Sequence, residues 1–93
     1  MSETIYKYVL EITDSQNVSM PCGAVPLTVQ AQYGKPCLWV RCDPSKEVCL
    51  REVQIHPTGT DEPIYGEYVG TVQTSIFVWH VFMLPEMPYR EEE

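Results

Sequence analysis

The cysteines and histidines are the residues of this chain best suited to chemistry, and the cysteine spacing favours a structural role. Cys22, Cys37, Cys42 and Cys49 lack the C-x₂-C pair typical of zinc sites. Cys37 and Cys42 are five residues apart on one expected strand, so their side chains point to opposite faces and cannot share an ion. The sequence therefore predicts structural thiols rather than metal ligands, and we predict no metal site.

The redox state of these cysteines follows from the expected compartment. No basic-then-apolar leader opens the sequence, so we expect no signal peptide and a cytosolic protein. Four cysteines then read as free thiols rather than as a disulfide framework. The alternative is an oxidised Cys42–Cys49 pair, formed across the turn between these residues.

The two histidines do not predict a catalytic site. His80 lies in a strongly apolar segment, and we expect a core residue satisfied by one hydrogen bond rather than a catalytic base. His56 precedes Pro57 at the start of a loop, so we expect it to be exposed and able to contact a ligand. The sequence does not indicate a nucleophile beside a general base, a catalytic pair of carboxylates or a phosphate-binding glycine loop. We predict a protein that is not an enzyme and needs no cofactor.

A hairpin carries the residues best suited to bind a partner. Residues 27–42 alternate between apolar and polar, and Gly34-Lys35 fits a two-residue type II′ turn. This turn places Leu38 opposite Ala31 and Leu27 opposite Cys42. The predicted core face then carries Leu27, Val29, Ala31, Leu38, Val40 and Cys42, and the outward face carries Thr28, Gln30, Gln32, Cys37, Trp39 and Arg41.

The outward face of this hairpin is the predicted contact surface. Tryptophan and arginine are among the residues that most often dominate binding energy at protein interfaces. The predicted partner-binding residues on the hairpin are Thr28, Gln30, Trp39 and Arg41. Arg51 and His56, from the predicted strand 49–56, complete the set. Two alternatives remain open: cover within the same subunit, by the tail residues Met87 and Tyr89 or by a second sheet, and a homodimer contact.

The rest of the chain also alternates as β-strands do. Residues 76–83 are apolar on both faces, which predicts a central strand covered on both sides by the domain or by a second subunit. Further strands are predicted at 5–13, 18–20, 49–56 and 67–73, and Pro85 and Pro88 should end regular structure. The buried side of 49–56 is ambiguous because Arg51 lies in line with its apolar residues. No segment has helical periodicity.

These patterns predict an all-β protein with one small domain at residues 1–85. Six or seven short, mostly antiparallel strands would form a meander, a compact sandwich or an open barrel. Residues 86–93 would be a mobile acidic tail. Three of the thirteen acids are Glu91, Glu92 and Glu93, so the rest of the chain holds ten acids and six bases, and its net charge of −4 disfavours direct binding to nucleic acids or anionic membranes. No apolar run approaches the ~20 residues of a membrane-spanning helix.

Five segments together resemble a family of small phage- and prophage-encoded proteins of uncharacterised function. These segments are IYKYVLEITDSQ, GAVPLTVQAQYGKPCLWV, HPTGT, YVGTVQ and FVWHVF, in that order, and they cover most of residues 4–83. The resemblance implies a viral accessory protein in the host bacterial cytoplasm. It assigns no catalytic or binding residue, and the acidic end of the chain lies outside it.

Three functions fit these observations. The leading hypothesis is a phage accessory protein that binds and modulates a host bacterial protein, for example as an inhibitor of a defence system. The second is an oligomeric binder of a nucleotide signal, with Arg41 and Arg51 for phosphate and Trp39 or Tyr33 for base stacking. The third is a minor structural protein of the virion.

Overall fold

Seven antiparallel strands make up the fold in the computed structural model, which describes residues 2–88. The strands are β1 (Thr4–Val9), β2 (Ser15–Pro21), β3 (Val25–Gln32), β4 (Lys35–Cys42), β5 (Val48–Pro57), β6 (Glu67–Thr74) and β7 (Phe77–Pro88). The described residues contain no helix, and the predicted all-β fold is confirmed.

The strands form two sheets, one with the order β1-β4-β3 and the other with the order β2-β5-β7-β6. Only β3–β4 and β6–β7 are both consecutive and paired, so the described chain is a sandwich rather than a meander. Apolar side chains from both sheets meet between them. This core contains Leu10, Met20, Ala24, Val29, Leu38, Val40, Cys42, Val53, Ile55, Val72, Val81 and Met83.

The β3–β4 hairpin turns one residue earlier than predicted. Its two central residues are Tyr33 and Gly34, with φ of 52° and 79°, the positive pair that a type I′ turn needs. Leu38 therefore pairs with Val29 instead of Ala31. This shift of two positions is even, and side chains alternate with a period of two, so Leu38 and Val40 keep the core side and Trp39 the outward side. Cys37, which was predicted on the outward face, is only 1% exposed.

Two β3 residues leave the predicted core face. The pairing shifts between Pro26 and Thr28, a bulge that leaves Leu27 without a partner in β4. Leu27 is 46% exposed and does not face Cys42, so its predicted place in the core is wrong. Ala31 is also exposed, beside the turn and beyond the edge of the core.

Strand β7 is central, as predicted, because it pairs with both β5 and β6. Its Val81 and Met83 are buried in the core, but the opposite face is only half-buried, so the described part of the domain does not supply the predicted cover there, and cover by a second subunit stays a prediction. The strand also continues past Pro85, contrary to the prediction. Pro85 lies where the pairing with β5 shifts, and a proline without an N–H is tolerated at such a bulge.

The predicted tail therefore begins inside a strand. Glu86 pairs with Arg51, and Met87 pairs with Leu50. Residues 89–93 lie outside the described residues.

Cys22 and Cys49 form a disulfide, so the prediction of four thiols is wrong for this pair. Cys49 does not pair with Cys42, because Cys42 points into the core from the other sheet. Instead, Cys49 lies opposite Met20 on β2, and Cys22 follows two residues after Met20. Cys37 and Cys42 are free and buried.

Gly70 of β6 lies tightly against Val29 of β3. A Cβ atom at Gly70 would lie 2.8 Å from Cγ1 of Val29. We expect Gly70→Ala to lower the free energy of unfolding by about 1–3 kcal/mol, because the added methyl overpacks the core. Urea denaturation measures this loss. Adding Val29→Ala removes the clash, so the double variant should lose less than the sum of the single losses; strict additivity would contradict the contact.

Candidate functional site

The outward surface of the three-stranded sheet is the candidate site, and Trp39 lies at its centre. Trp39 pairs with Lys7 on β1 and with Thr28 on β3, and its side chain is half-buried. A shallow cavity of about 280 Å³ adjoins it. We call the surface formed by the residues around this cavity and the neighbouring arginine the Trp39 face; these residues are Ile5, Leu27, Thr28, Gln30, Trp39 and Arg41.

The alternation of β4 positions this face. Leu38 and Val40 are fully buried, so Trp39 and Arg41 must point away from the core. The predicted outward orientation of Trp39 is therefore confirmed. The bulge at Leu27 adds an apolar side chain that the sequence placed in the core. No sequence signal marked this bulge.

The Trp39 face is locally basic in an acidic protein. Arg41 is half-exposed, with its Nε atom 3.6 Å from a carboxylate oxygen of Glu3. Both side chains are exposed, so this ion pair contributes little to stability. Beside Trp39, Nζ of Lys7 donates a hydrogen bond of 2.9 Å to Gln32. The face thus presents two cations, Arg41 and Lys7, and one carboxylate, Glu3, at its border and apolar groups at its centre.

The described residues leave the Trp39 face open. Met87, a predicted cover, lies in β7 of the other sheet, and Tyr89 is outside the described residues. The second sheet packs on the opposite side. Ile5 remains 58% exposed, and Leu27 is exposed beside it. Whether this open face binds a partner stays a prediction.

Arg51 is held by internal contacts rather than by the Trp39 face. Its side chain is only 14% exposed. Its Nε donates to the carbonyl oxygen of Leu84 at 2.8 Å, and its Nη1 donates to that of Ala24 at 3.2 Å. The Oε2 atom of Glu86 lies 3.9 Å from Nη1 of Arg51. These contacts resolve the ambiguity of β5: Arg51 lies in line with the apolar residues and joins three segments at the edge of the core.

His56 lies on the opposite outer surface of the sandwich, and its predicted exposure is wrong. Only 6% of the residue is exposed. Its ring packs edge-on against Phe82, with 5.9 Å between ring centres, and its Nε2 lies 3.1 Å from Oε1 of Gln54. Residues 57–66 fold back beside it, which the sequence did not show. The six predicted contact residues thus do not form one site.

His80 is half-buried on the outer side of the four-stranded sheet, so its predicted place in the core is wrong, and it makes two hydrogen bonds where one was predicted. Its Nε2 lies 2.8 Å from the hydroxyl oxygen of Thr58, and its Nδ1 lies 2.9 Å from that of Thr71. The hydroxyl of Tyr68 continues the network, 2.6 Å from Thr71. Sequence reasoning missed these three partners, although β6 alternation places Thr71 opposite His80 once the strands are paired.

The remaining reactive groups show no assembled centre. Within residues 2–88, no group of three or more His, Cys, Asp or Glu residues could hold a metal ion. Burial raises the pKa of the Cys42 thiol, and the negative charges of Asp43 and Glu3 raise it further. A thiol with a raised pKa is a poor nucleophile at neutral pH. The described chain also has no helix long and apolar enough to cross a bilayer.

Comparison with other proteins places the chain in a family. No curated protein and no solved structure matches it. A family model described as "Domain of unknown function (DUF7352)" matches residues 1–91. Because this match covers nearly the whole chain, the protein belongs to the DUF7352 family.

Proposed function

We propose that this protein is a non-enzymatic binding protein and that its Trp39 face contacts another protein. The observation that carries the proposal is the half-buried Trp39, flanked by exposed Ile5 and Leu27 and by Arg41. A central aromatic residue with a neighbouring arginine is typical of the residues that dominate interface energy. An apolar patch left open on a small domain is typical of an interaction site.

The shape of the face favours a protein partner over a small molecule. The cavity beside Trp39 has a volume of about 280 Å³, slightly below the ~300–1,000 Å³ of common ligand pockets. Such a depression suits one inserted side chain of a partner, with the surrounding sheet forming the rest of the contact. The border holds two cations, Lys7 and Arg41, against one carboxylate, Glu3, and this excess favours a partner with acidic groups around that side chain.

The partner belongs to the proposal as well. The resemblance to phage and prophage proteins supports a viral accessory factor that acts on a host bacterial protein, such as a component of a defence system, in the host cytoplasm. The small size of the chain, at 93 residues, and the lack of an assembled reactive centre in residues 2–88 are consistent with action by binding.

The test is capture of a partner from bacterial lysate, followed by measurement of its affinity. We expect one stoichiometric partner, and we expect Trp39→Ala to raise its Kd about thirtyfold, because such an anchor contributes about 2 kcal/mol. Arg41→Glu should also weaken binding. Tyr33→Ala is the matched control, because Tyr33 is 99% exposed at the hairpin tip, outside the face.

Two results would reject the proposal. One is the recovery of no partner, with Trp39→Ala and Arg41→Glu behaving as the wild type does in the host. The other is a captured partner whose Kd is the same for Trp39→Ala and for Tyr33→Ala.

The two alternative functions have their own tests. For the nucleotide binder, Arg41 and Arg51 lie in different sheets of the subunit, so a phosphate site would have to combine residues from several subunits. Calorimetry against a panel of cyclic nucleotides decides this case. For the virion protein, mass spectrometry of purified particles would detect the chain.

A further inference from the structure

Two adjoining cavities lie on the outer surface of the four-stranded sheet, beside residues 57–66. Their volumes are about 290 and 360 Å³, and both are lined by His56, Pro57 and Thr60. Phe82 and Ile64 give the smaller cavity an apolar wall. The two cavities therefore meet at His56 and form one groove. This groove is on the opposite side of the sandwich from the Trp39 face.

The hydrogen bonds behind the groove set the proton position on His56. Glu52 accepts a hydrogen bond of 3.3 Å from Nε2 of Gln54, and this orients the Gln54 amide. The Oε1 atom of Gln54 then lies 3.1 Å from Nε2 of His56 and 3.4 Å from the backbone nitrogen of Tyr65. Because a carbonyl oxygen only accepts, Nε2 of His56 donates, and Nδ1 of the neutral ring is left as an acceptor.

Nδ1 of His56 is the unused group in the groove. No residue within 2–88 makes a hydrogen bond to it, although only 6% of His56 is exposed. The described residues contain no fully buried side-chain nitrogen or oxygen without a partner. Nδ1 is therefore not fully buried, and the groove that His56 lines is the open space from which we infer that a hydrogen-bond donor approaches it.

The charges that line the groove select the ligand. Asp14 and Glu62 line the larger cavity, and no lysine or arginine lines either one. The carboxylates of Asp14 and Glu62 and Nδ1 of His56 are all hydrogen-bond acceptors, which suits a cation with N–H donors. An anionic ligand such as a nucleotide would meet two carboxylates without a countercharge. Phe82, Ile64 and Pro63 add apolar contact for a flat body.

From these observations we infer that the groove is a second binding site, for a small cation that carries N–H donors on a flat apolar body, such as an amidinium or an arylalkyl ammonium. The cation lies between Asp14 and Glu62, one N–H donates to Nδ1 of His56, and the apolar body contacts Phe82. This site does not depend on the function proposed for the Trp39 face.

Benzamidine is a suitable probe, because it places an amidinium on a phenyl ring. Two-dimensional ¹H–¹⁵N NMR of the imidazole nitrogens should show a saturable shift of His56 Nδ1 during titration of the full chain. Benzoate, which has the same ring and the opposite charge, should not produce this shift. The site is absent if benzamidine gives no saturable shift up to ~20 mM, or if benzoate binds equally well.

Two adjacent acids provide matched variants. Glu62 lines the groove, whereas Asp61 does not line either cavity. We expect Glu62→Gln to raise the Kd for benzamidine about threefold, the size typical of a partly exposed ion pair, and Asp61→Asn to leave it unchanged. Equal effects of the two substitutions would indicate general charge attraction and overturn the site.

Discussion

Reduction of the Cys22–Cys49 disulfide is expected to lower the free energy of unfolding by about 3–4 kcal/mol. The bond joins residues separated by 27 positions in sequence. Without it, the unfolded chain gains the conformational freedom that this loop had lost, and the folded state is less favoured. Urea denaturation with and without dithiothreitol measures the difference.

Substitution of the two cysteines provides the control. The Cys22→Ser/Cys49→Ser variant should show the stability of the reduced wild type, and dithiothreitol should not change it, because Cys37 and Cys42 are already free. A wild type that is equally stable with and without reductant would contradict the stabilising role of the bond. Loss of stability in the double variant on reduction would point to another disulfide.

This prediction bears on the proposed compartment. The bacterial cytoplasm keeps most thiols reduced, so the pair would be open there. A domain of this size typically has a total stability of about 5–15 kcal/mol, so a loss of 3–4 kcal/mol is compatible with a folded but less stable reduced form. The Trp39 face lies in the sheet that contains neither cysteine, so a folded reduced form should bind the partner as the oxidised form does.

The strands could be predicted from the sequence because alternation of apolar residues directly reflects burial of one face. The outward orientation of Trp39 was predicted correctly although the turn was misplaced by one residue. Leu38 and Val40 must be buried together whatever their partners on β3, and Trp39 between them then points outward. Bulges could not be predicted, because each depends on backbone contacts with a neighbouring strand. The misplacement of Leu27 followed from such a bulge.

The disulfide and the groove depend on which strands become neighbours. Cys22 approaches Cys49 only because β2 pairs with β5, and cysteine spacing alone does not reveal this pairing. His56 is buried because residues 57–66 fold back beside it, although they read as an exposed loop. The network around His80 also requires β6 to lie beside β7. Local patterns carry no information on these long-range contacts.

Leu38→Ala is expected to lower the free energy of unfolding by about 2–5 kcal/mol, the range for removal of a fully buried leucine side chain. Leu38 has 0% exposure and packs in the core between the two sheets. The substitution removes apolar contacts and leaves a cavity that the rigid strands around it can close only in part. Urea denaturation of the oxidised protein measures the loss.

Trp39→Ala is the control for this substitution, because Trp39 is the next residue on the same strand and points to the other side. We expect it to lower the free energy of unfolding by no more than about 1.5 kcal/mol, since its side chain is half-exposed before the change. Folded Leu38→Ala should keep its affinity for the partner, whereas Trp39→Ala should raise the Kd about thirtyfold. If Trp39→Ala were as destabilising as Leu38→Ala, the outer face would contribute to the fold itself, and loss of binding in that variant would reflect unfolding rather than a missing contact.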